Sequence, residues 1–405
     1  MFEWFVPGGT SDLTRAQKTA IWAGYLGWTL DAFDFFLLVF SMKAISEAFG
    51  TDIKAVSEAL FLTLAARPLG ALVFGWLADR IGRKPVLMVV VLLFSVMSAL
   101  SGLAQSLGQL LVIRAVFGFA MGGEWGIGAS LVMETIPKRL RGIVSGVLQS
   151  GYPSGYLLAS LTYALLYDHI GWRGMFFVGL LPALLVFVIR MHVEESPVFE
   201  AQKKQVRQPV LPMLAKHWKL ALYLIVLMTA FNFLSHGAQD LYPTFLQKQH
   251  GFDARTTGTL AVIMNIGSLF GALTFGPLSQ RFGRRKAIIG AAALVLPIIP
   301  LWTGSQTVVL LALGGFLVQF AIQGAWGVVP AYLNELSPPA VRAMFPGLVY
   351  QLGNLLASRC GPIQAQIAES HGDNYGLALA VVVGITAAVL VVWTALGPDP
   401  GGEIA

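Results

Sequence analysis

The sequence predicts an all-α membrane protein with twelve transmembrane helices in two pseudo-symmetric six-helix bundles. The 405 residues are 56% hydrophobic and only 12% charged, which leaves too little polar surface to cover a folded chain in water. Twelve apolar runs are each long enough to cross a bilayer, for which a helix needs roughly twenty residues. One constant numerical offset also relates the two halves of the chain.

That offset is clearest in a stretch that occurs twice. Residues 75–87 read GWLADRIGRKPVL, and residues 276–287 read GPLSQRFGRRKA, with matching glycine, leucine and arginine positions 201 residues apart. The same offset of 201 relates Gly146 to Gly347. A duplicated unit explains one shift that holds over so long a stretch.

The order of the apolar runs defines the predicted domains. One long polar segment separates the sixth run from the seventh, so we predict an N-terminal bundle at 1–191, a cytoplasmic linker at 192–217 and a C-terminal bundle at 218–405. The runs lie at 19–41, 55–78, 86–104, 108–133, 141–167, 173–191, 218–247, 256–280, 286–303, 307–334, 341–368 and 375–397.

The distribution of basic residues predicts the orientation. Nineteen lysines and arginines fall on the side of the two termini and five on the other side, so the positive-inside rule places both termini in the cytoplasm. We expect a monomeric multi-pass protein of a bacterial inner membrane. Because topology accounts for the net charge of +6, we expect no nucleic-acid partner.

Enzymatic and metal-binding functions are not expected. The single cysteine, Cys360, excludes an intrachain disulfide and a cysteine-rich metal site. The sequence also lacks HExxH, GxSxG and phosphate-binding loop motifs, which enzymes of the corresponding classes require. We therefore expect no cofactor.

Charged residues within the apolar runs are the candidates for function, because a charge inside a membrane is costly. Asp31 and Asp34 are three residues apart and share a helix face. Two carboxylates so close together disfavour double ionisation, which suits proton coupling; alternatively, they are structural partners of arginines. The charged residues that lie within the apolar runs are Asp31, Asp34, Arg67, Arg114, Glu124, His236, Asp240 and Arg359.

Arginine is the natural ligand for an anionic substrate, since a guanidinium binds a carboxylate through two parallel hydrogen bonds. Arg114 lies near the start of the fourth run, before a glycine-rich face at Gly118, Gly122 and Gly126. We expect Arg114 to contact substrate, or else to pair permanently with one of the aspartates, and we expect Arg359 to be its counterpart in the second half. The glycines themselves predict close helix packing.

A polar stripe marks the seventh run. Asn232, His236 and Asp240 are spaced four residues apart and share one face, which is too polar for a surface in contact with lipid. We predict that this face lines a pore, with His236 donating to substrate and Asp240 exchanging a proton. A histidine buried by packing is the alternative. Asn232 corresponds to Asp31 under the shift of 201.

The segment 75–84 resembles the signature loop of the major facilitator superfamily, which acts as a cytoplasmic latch. The second copy has Gln280 where the first has Asp79, so the resemblance implies a weaker latch in the second half. Charged residues at the cytoplasmic helix ends are predicted to be gates whose ion pairs break and reform. These residues are Asp79, Arg80, Arg83, Glu134, Arg141, Glu335 and Arg342.

A finer resemblance concerns the substrate. NFLSHGAQDLYPT at 232–244 is similar to the signature of fungal lactate and pyruvate permeases of the sialate:proton symporter family, except for Ala238. The stretch after Arg114 resembles a proton-symporter motif, and Gln351 and Asn354 resemble a pair that lines a monocarboxylate site. Without the resemblance, this pair is equally consistent with hydrogen bonding between helices.

The resemblance implies proton-coupled uptake of a small organic anion of the lactate and pyruvate class. A transporter of aromatic acids or of sialate has the same expected fold and differs in the size of its pocket. A uniporter or an exporter is the remaining alternative. The sequence leaves the role of Glu124 open.

Overall fold

A computed structural model of the chain describes residues 13–51, 53–181, 184, 193–202 and 215–400, most of which are helical. The helices of the first half are α1 (Arg15–Phe49), α2 (Ile53–Ile81), α3 (Arg83–Leu103), α4 (Leu107–Thr135), α5 (Arg141–Gln149), α6 (Gly151–Val178) and the short α7 (Pro197–Gln202). Those of the second half are α8 (Trp218–Gln239), α9 (Ala254–Phe282), α10 (Arg284–Gly304), α11 (Val308–Trp326), α12 (Val329–Leu336), α13 (Phe345–Ala357), α14 (Cys360–Ser370) and α15 (Tyr375–Leu396).

The helical architecture confirms the predicted fold class. By length and composition, nine helices in the described part of the chain can span a membrane. The fifth apolar run is divided between α5 and α6 near Ser150, and the eleventh between α13 and α14. α6 continues into the sixth run through a kink at Gly171, whose φ of 63° favours glycine. The rest of the sixth run, at 182–183 and 185–192, lies outside the described residues.

Close packing of α4 against α2 depends on glycine. A Cβ atom at Gly118 would lie 2.0 Å from the carbonyl oxygen of Thr63, and one at Gly122 would lie 2.0 Å from that of Arg67. Both distances are too short for any other residue. Contact between the two backbones therefore fixes where α2 presents the Arg67 side chain.

Contacts between the two halves are tight on the side of the membrane where α1 begins and α15 ends, which we call the termini side. A Cβ atom built on Gly126 of α4 would lie 2.8 Å from the Cα atom of Gly347 of α13. Ser130 Oγ donates to the carbonyl oxygen of Arg342 at 2.7 Å. The backbone N–H of Ala331 donates to Ser145 Oγ at 3.1 Å. These contacts close the molecule on the termini side.

The segment that follows the first bundle is attached to α3. Glu195 accepts hydrogen bonds from the backbone N–H groups of Arg83, at 3.0 Å, and Lys84, at 3.1 Å, and so caps the first turn of that helix. Residues 203–214 of the predicted linker lie outside the described residues, and the domain boundaries remain predictions.

Candidate functional site

A cavity lies between the two halves, with an empty volume of about 560 Å³ counted out to its open mouth. It extends along α8 as far as Gln239, the last residue of that helix and the one furthest from the termini side. The described inter-half hydrogen bonds all lie at the termini side, so the cavity is approached from the opposite side of the membrane. The lining residues are Trp28, Phe35, Leu64, Arg67, Gln149, Tyr152, Asn232, Ser235, His236, Gln239, Gln323, Trp326, Tyr350 and Asn354.

Aromatic rings from both halves close the end of the cavity towards the termini side. Tyr350 of α13 packs against Trp28 of α1, Trp125 of α4 and Trp326 of α11, at centroid distances of 6.4, 4.8 and 5.6 Å. Trp326 is held by a hydrogen bond from its Nε1 to Ser235 Oγ, at 2.6 Å. These four rings, which we call the aromatic floor, give the cavity flat apolar surfaces beside its polar groups.

Arg67 is the cation that lines the cavity. Its side chain is buried, and Nη2 lies 4.0 Å from Asp31 Oδ2 and 3.3 Å from Met121 Sδ. The guanidinium carbon lies 5.5 Å from the centroid of the Phe35 ring, and Nε has no hydrogen-bond partner among the described residues. Arg67 therefore has donors to spare for an anion that enters the cavity.

His236 connects two other polar residues at the cavity. Its Nδ1 lies 3.2 Å from Asp240 Oδ1, and its Nε2 lies 3.2 Å from Asn354 Oδ1. Asn232 lines the same wall one turn earlier and donates to the carbonyl oxygen of Met228 at 2.8 Å. The structure thus brings together three residues that the sequence analysis placed at the substrate site: Asn232, His236 and Asn354.

Asp240 lies at the end of α8, beyond the residues that line the cavity, and its side chain is 43% exposed. Its nearest described partner is His236, at 3.2 Å, and its charge acts on Tyr152 of the opposite half. Gln351 is buried outside the cavity lining. Arg359 is exposed at the break before α14.

Arg114 lies behind the cavity and not in its lining. Its guanidinium carbon is 3.7 Å from the centroid of the Phe117 ring and 5.9 Å from that of Phe176. Asp34 and Asp31 act on it electrostatically. Both aspartates are buried, and Asp34 Oδ1 accepts a hydrogen bond from Ser98 Oγ at 3.4 Å. Of the two in-span arginines of the first half, the structure brings Arg67 to the cavity and keeps Arg114 apart from it.

The predicted gates form two related networks at the termini side. In the first, Arg83 Nη2 lies 3.1 Å from Asp79 Oδ1 and 3.2 Å from Glu134 Oε1. Glu134 also accepts a hydrogen bond from Ser196 Oγ. Arg80 lies over the ring of Trp76, with 4.2 Å between the guanidinium carbon and the ring centroid.

In the second network, Arg284 makes two hydrogen bonds to Glu335, at 3.1 and 2.8 Å. Arg141 Nε donates to the carbonyl oxygen of Met133 at 3.2 Å, and Arg342 is buried at the interface between the halves. The described ion pairs at the termini side therefore join helices within each bundle, and Asp79 also joins the two bundles by accepting hydrogen bonds from the backbone of Ala343 and Met344.

Two helical bundles that share a polar cavity, closed on one side of the membrane, define a membrane transport protein rather than an enzyme. The Major Facilitator Superfamily matches residues 25–253, and the family described as sugar (and other) transporter matches residues 215–398. The first match covers more than half of the chain, and the chain belongs to the Major Facilitator Superfamily.

Similar proteins include transporters of organic acids. The sialic acid transporter NanX of Escherichia coli is 31% identical over 96% of this chain and 95% of its own length. A carboxylic acid transporter protein homolog of Saccharomyces cerevisiae is 29% identical over 92% of this chain, which spans only 64% of the yeast protein. The crystal structure of the human organic anion transporter MFSD10 superimposes with a TM-score of 0.74 at 15% identity, over 94% of this chain and 99% of the human chain, and supports the fold.

Proposed function

We propose that the protein is a proton-coupled symporter of a small monocarboxylate, of the lactate and pyruvate class, that works by alternating access. The observation that carries the proposal is Arg67, a buried guanidinium that lines the shared cavity and keeps its Nε free among the described residues. Such a group can hold a carboxylate through two parallel hydrogen bonds at any physiological pH.

The substrate is held from both halves. Its carboxylate binds Arg67 in the first half, while Asn232, His236 and Asn354 in the second half offer hydrogen bonds to the hydroxyl or keto oxygen. Arg114 acts as a fixed positive charge beside Asp34. Because groups from both bundles must approach the same small molecule, substrate binding favours the rotation that closes the cavity.

The proton keeps transport electroneutral. An anion that enters a cell against a negative-inside potential costs about 2.3 kcal/mol for each 100 mV, and one accompanying proton removes this cost. Asp31 lies 4.0 Å from Arg67, the only cation within ion-pairing distance of Asp31 in the described chain. A substrate carboxylate that binds Arg67 therefore competes with Asp31 for this cation. Asp31 then binds a proton, and Asp34 and Asp240 are the further proton-coupling residues of this proposal.

The closed side faces the cytoplasm in this proposal, because the excess of basic residues lies there. Opening of the networks around Asp79 and Glu335 then releases substrate and proton into the cell. We place the protein in a bacterial inner membrane.

A second candidate is favoured by the aromatic floor. Flat rings such as Trp28, Trp326 and Tyr350 stack on planar molecules, so the cavity also suits an aromatic acid. The similarity to a sialic acid transporter adds a larger acid to the possible substrates. Small monocarboxylates, aromatic acids and sialic acid would be transported by the same mechanism. They differ in the part of the molecule that would contact the aromatic floor.

Uptake by proteoliposomes tests the proposal. An imposed pH gradient, acidic outside, should drive the accumulation of labelled lactate, whereas the same vesicles without a gradient should only equilibrate. Competition by unlabelled lactate, benzoate and sialate identifies the class of acid. A gradient-independent equilibration of every acid would show a uniporter, and accumulation only under the opposite gradient would show an exporter.

A further inference from the structure

A second and smaller cavity, with an empty volume of about 210 Å³ counted out to its opening, lies on the termini side of the aromatic floor. Trp28 lines both spaces, and Trp125 lines the smaller one. Along α1, Gly24 borders the small cavity one turn before Trp28, whereas Phe35 borders the large cavity two turns after it. The small cavity therefore lies between the substrate cavity and the termini side.

Glu124 lines this small cavity. Its side chain is 1% exposed, and its Oε2 atom has no hydrogen-bond partner among the described residues. Gly27 of α1 leaves the space that the carboxyl group fills, since a Cβ atom there would lie 2.5 Å from Glu124 Oε1. An ionised carboxylate buried without a partner is strongly disfavoured, whereas a protonated carboxyl group is not.

The charges around Glu124 support the same conclusion. Asp31 of α1 and Arg67 of α2 are the charged groups that act on it electrostatically. Together with Asp34 and Arg114, they form a buried cluster in which three carboxyl groups face two guanidinium groups. The cluster is neutral only when one carboxyl group binds a proton.

Glu124 is the carboxyl group of this cluster with the weakest support for a negative charge. Neither oxygen of Asp31 has a hydrogen-bond partner among the described residues, but Oδ2 lies 4.0 Å from Arg67 Nη2. Asp34 accepts a hydrogen bond from Ser98 and is next to the charge of Arg114. Glu124 forms no ion pair within 4.0 Å with any residue that the structure describes. The proton of the neutral cluster therefore belongs on Glu124.

We infer that Glu124 binds the transported proton and releases it into the small cavity on the termini side. This inference rests on the proposed symport and names the residue that carries the proton through its final step. When the halves open towards the termini side, the O–H bond of Glu124 breaks and its proton leaves by the small cavity. The proton that Asp31 bound on substrate entry then moves to the Glu124 carboxylate, and Asp31 pairs with Arg67 again, which restores the neutral cluster. The substrate anion leaves Arg67 in the same step, so no net charge crosses the membrane.

The variant E124Q tests the inference, because its amide occupies the same space and cannot release a proton. In proteoliposomes, we expect E124Q to lose accumulation of labelled lactate driven by a pH gradient but to keep exchange of labelled for unlabelled lactate. E124Q that accumulates lactate as the wild type does would overturn the inference. If the wild type itself ignored the gradient, the proposed symport would fail, and the two failures are thus distinguishable.

Infrared spectroscopy provides a second readout that does not depend on transport. The substrate-free wild type should show the carbonyl band of a buried protonated carboxyl group, which E124D should shift and E124Q should remove. A band that is unchanged in both variants would contradict the inference. The matched control is E58Q, which removes a carboxyl group from an exposed position of α2 and should leave both the band and the accumulation unchanged.

Discussion

Asp79 and Gln280 are related by the offset of 201 residues and accept hydrogen bonds from equivalent N–H groups of the opposite half. Asp79 Oδ1 accepts from the backbone of Ala343 at 3.1 Å, and Gln280 Oε1 accepts from the backbone of Gly142 at 3.0 Å. Asp79 also accepts from Met344 at 3.2 Å. The first half therefore has a charged latch with two hydrogen bonds to the other bundle, and the second half a neutral latch with one.

Weakening the charged latch should open the termini side. Hydrogen bonds to a carboxylate are stronger than those to an amide by about 1 kcal/mol, so D79N should raise the fraction of molecules open on the termini side about fivefold. Spin labels can be attached to cysteines placed at the exposed positions Lys138 and Lys286, one in each half, after the buried Cys360 is replaced by serine. Electron spin resonance then measures the distance between the two labels, which increases when the termini side opens. Q280E should shift the distribution in the opposite direction, and unchanged distances in both variants would contradict the latch.

Arg67 and Arg114 provide a matched pair for the substrate site. R67K keeps the charge but loses the two-pronged donor, so we expect the affinity for lactate to fall by roughly tenfold or more. R114K changes an arginine that lies behind the cavity and should bind lactate with nearly wild-type affinity. Isothermal titration with purified protein measures both. Weaker lactate binding by R114K than by R67K would show that Arg114, as expected from the sequence, holds the substrate.

The aromatic floor predicts a difference between acids. Trp28→Leu removes a ring that lines the substrate cavity, and stacking on such a ring contributes roughly 1 kcal/mol. If the substrate is aromatic, the inhibition constant of benzoate should rise about fivefold more than that of lactate. W22L, which removes a tryptophan that is 61% exposed, is the control. An equal change for the two acids would favour the small monocarboxylate.

The contact of α4 with α2 should be sensitive to a single methyl group. G122A places a Cβ atom against the carbonyl oxygen of Arg67, and overpacking of this kind costs roughly 1–3 kcal/mol. We expect a lower melting temperature together with weaker lactate binding, because the backbone that carries Arg67 must shift. Gly258, with open space around it, supplies the control G258A. A variant G122A that is as stable and binds as well as the control would show that this contact does not position Arg67.

The repeat and the polar stripe were accessible from the sequence for physical reasons. The offset of 201 residues is visible in the sequence because equivalent helix ends in the two halves make equivalent contacts. Asp79 and Gln280, for example, each accept a hydrogen bond from a backbone N–H group of the opposite half. Residues four apart on one helix share a face whatever their neighbours are, so Asn232 and His236 fall on the same cavity wall.

Which of Arg67 and Arg114 lines the cavity could not be predicted from the sequence. Both lie in apolar runs, and the direction of each side chain depends on how α2 and α4 are rotated against each other. The glycine contacts set this rotation, and they leave Arg114 between Phe117 and Phe176. The role of Glu124 depends likewise on its distance from cations of other helices, which no spacing along one helix encodes.

The contact between Gly126 and Gly347 has a consequence for the energy of transport. Neither residue has a side chain that could interlock with the other bundle, so the bundles can change their mutual angle there without any rotamer having to reorganise. The energy barrier between the two orientations of the bundles is then set by the polar groups that must separate, such as Asp79 and Gln280 and the backbone N–H groups that they accept from. Substitutions of these residues should alter the turnover rate far more than substitutions in the rest of the interface.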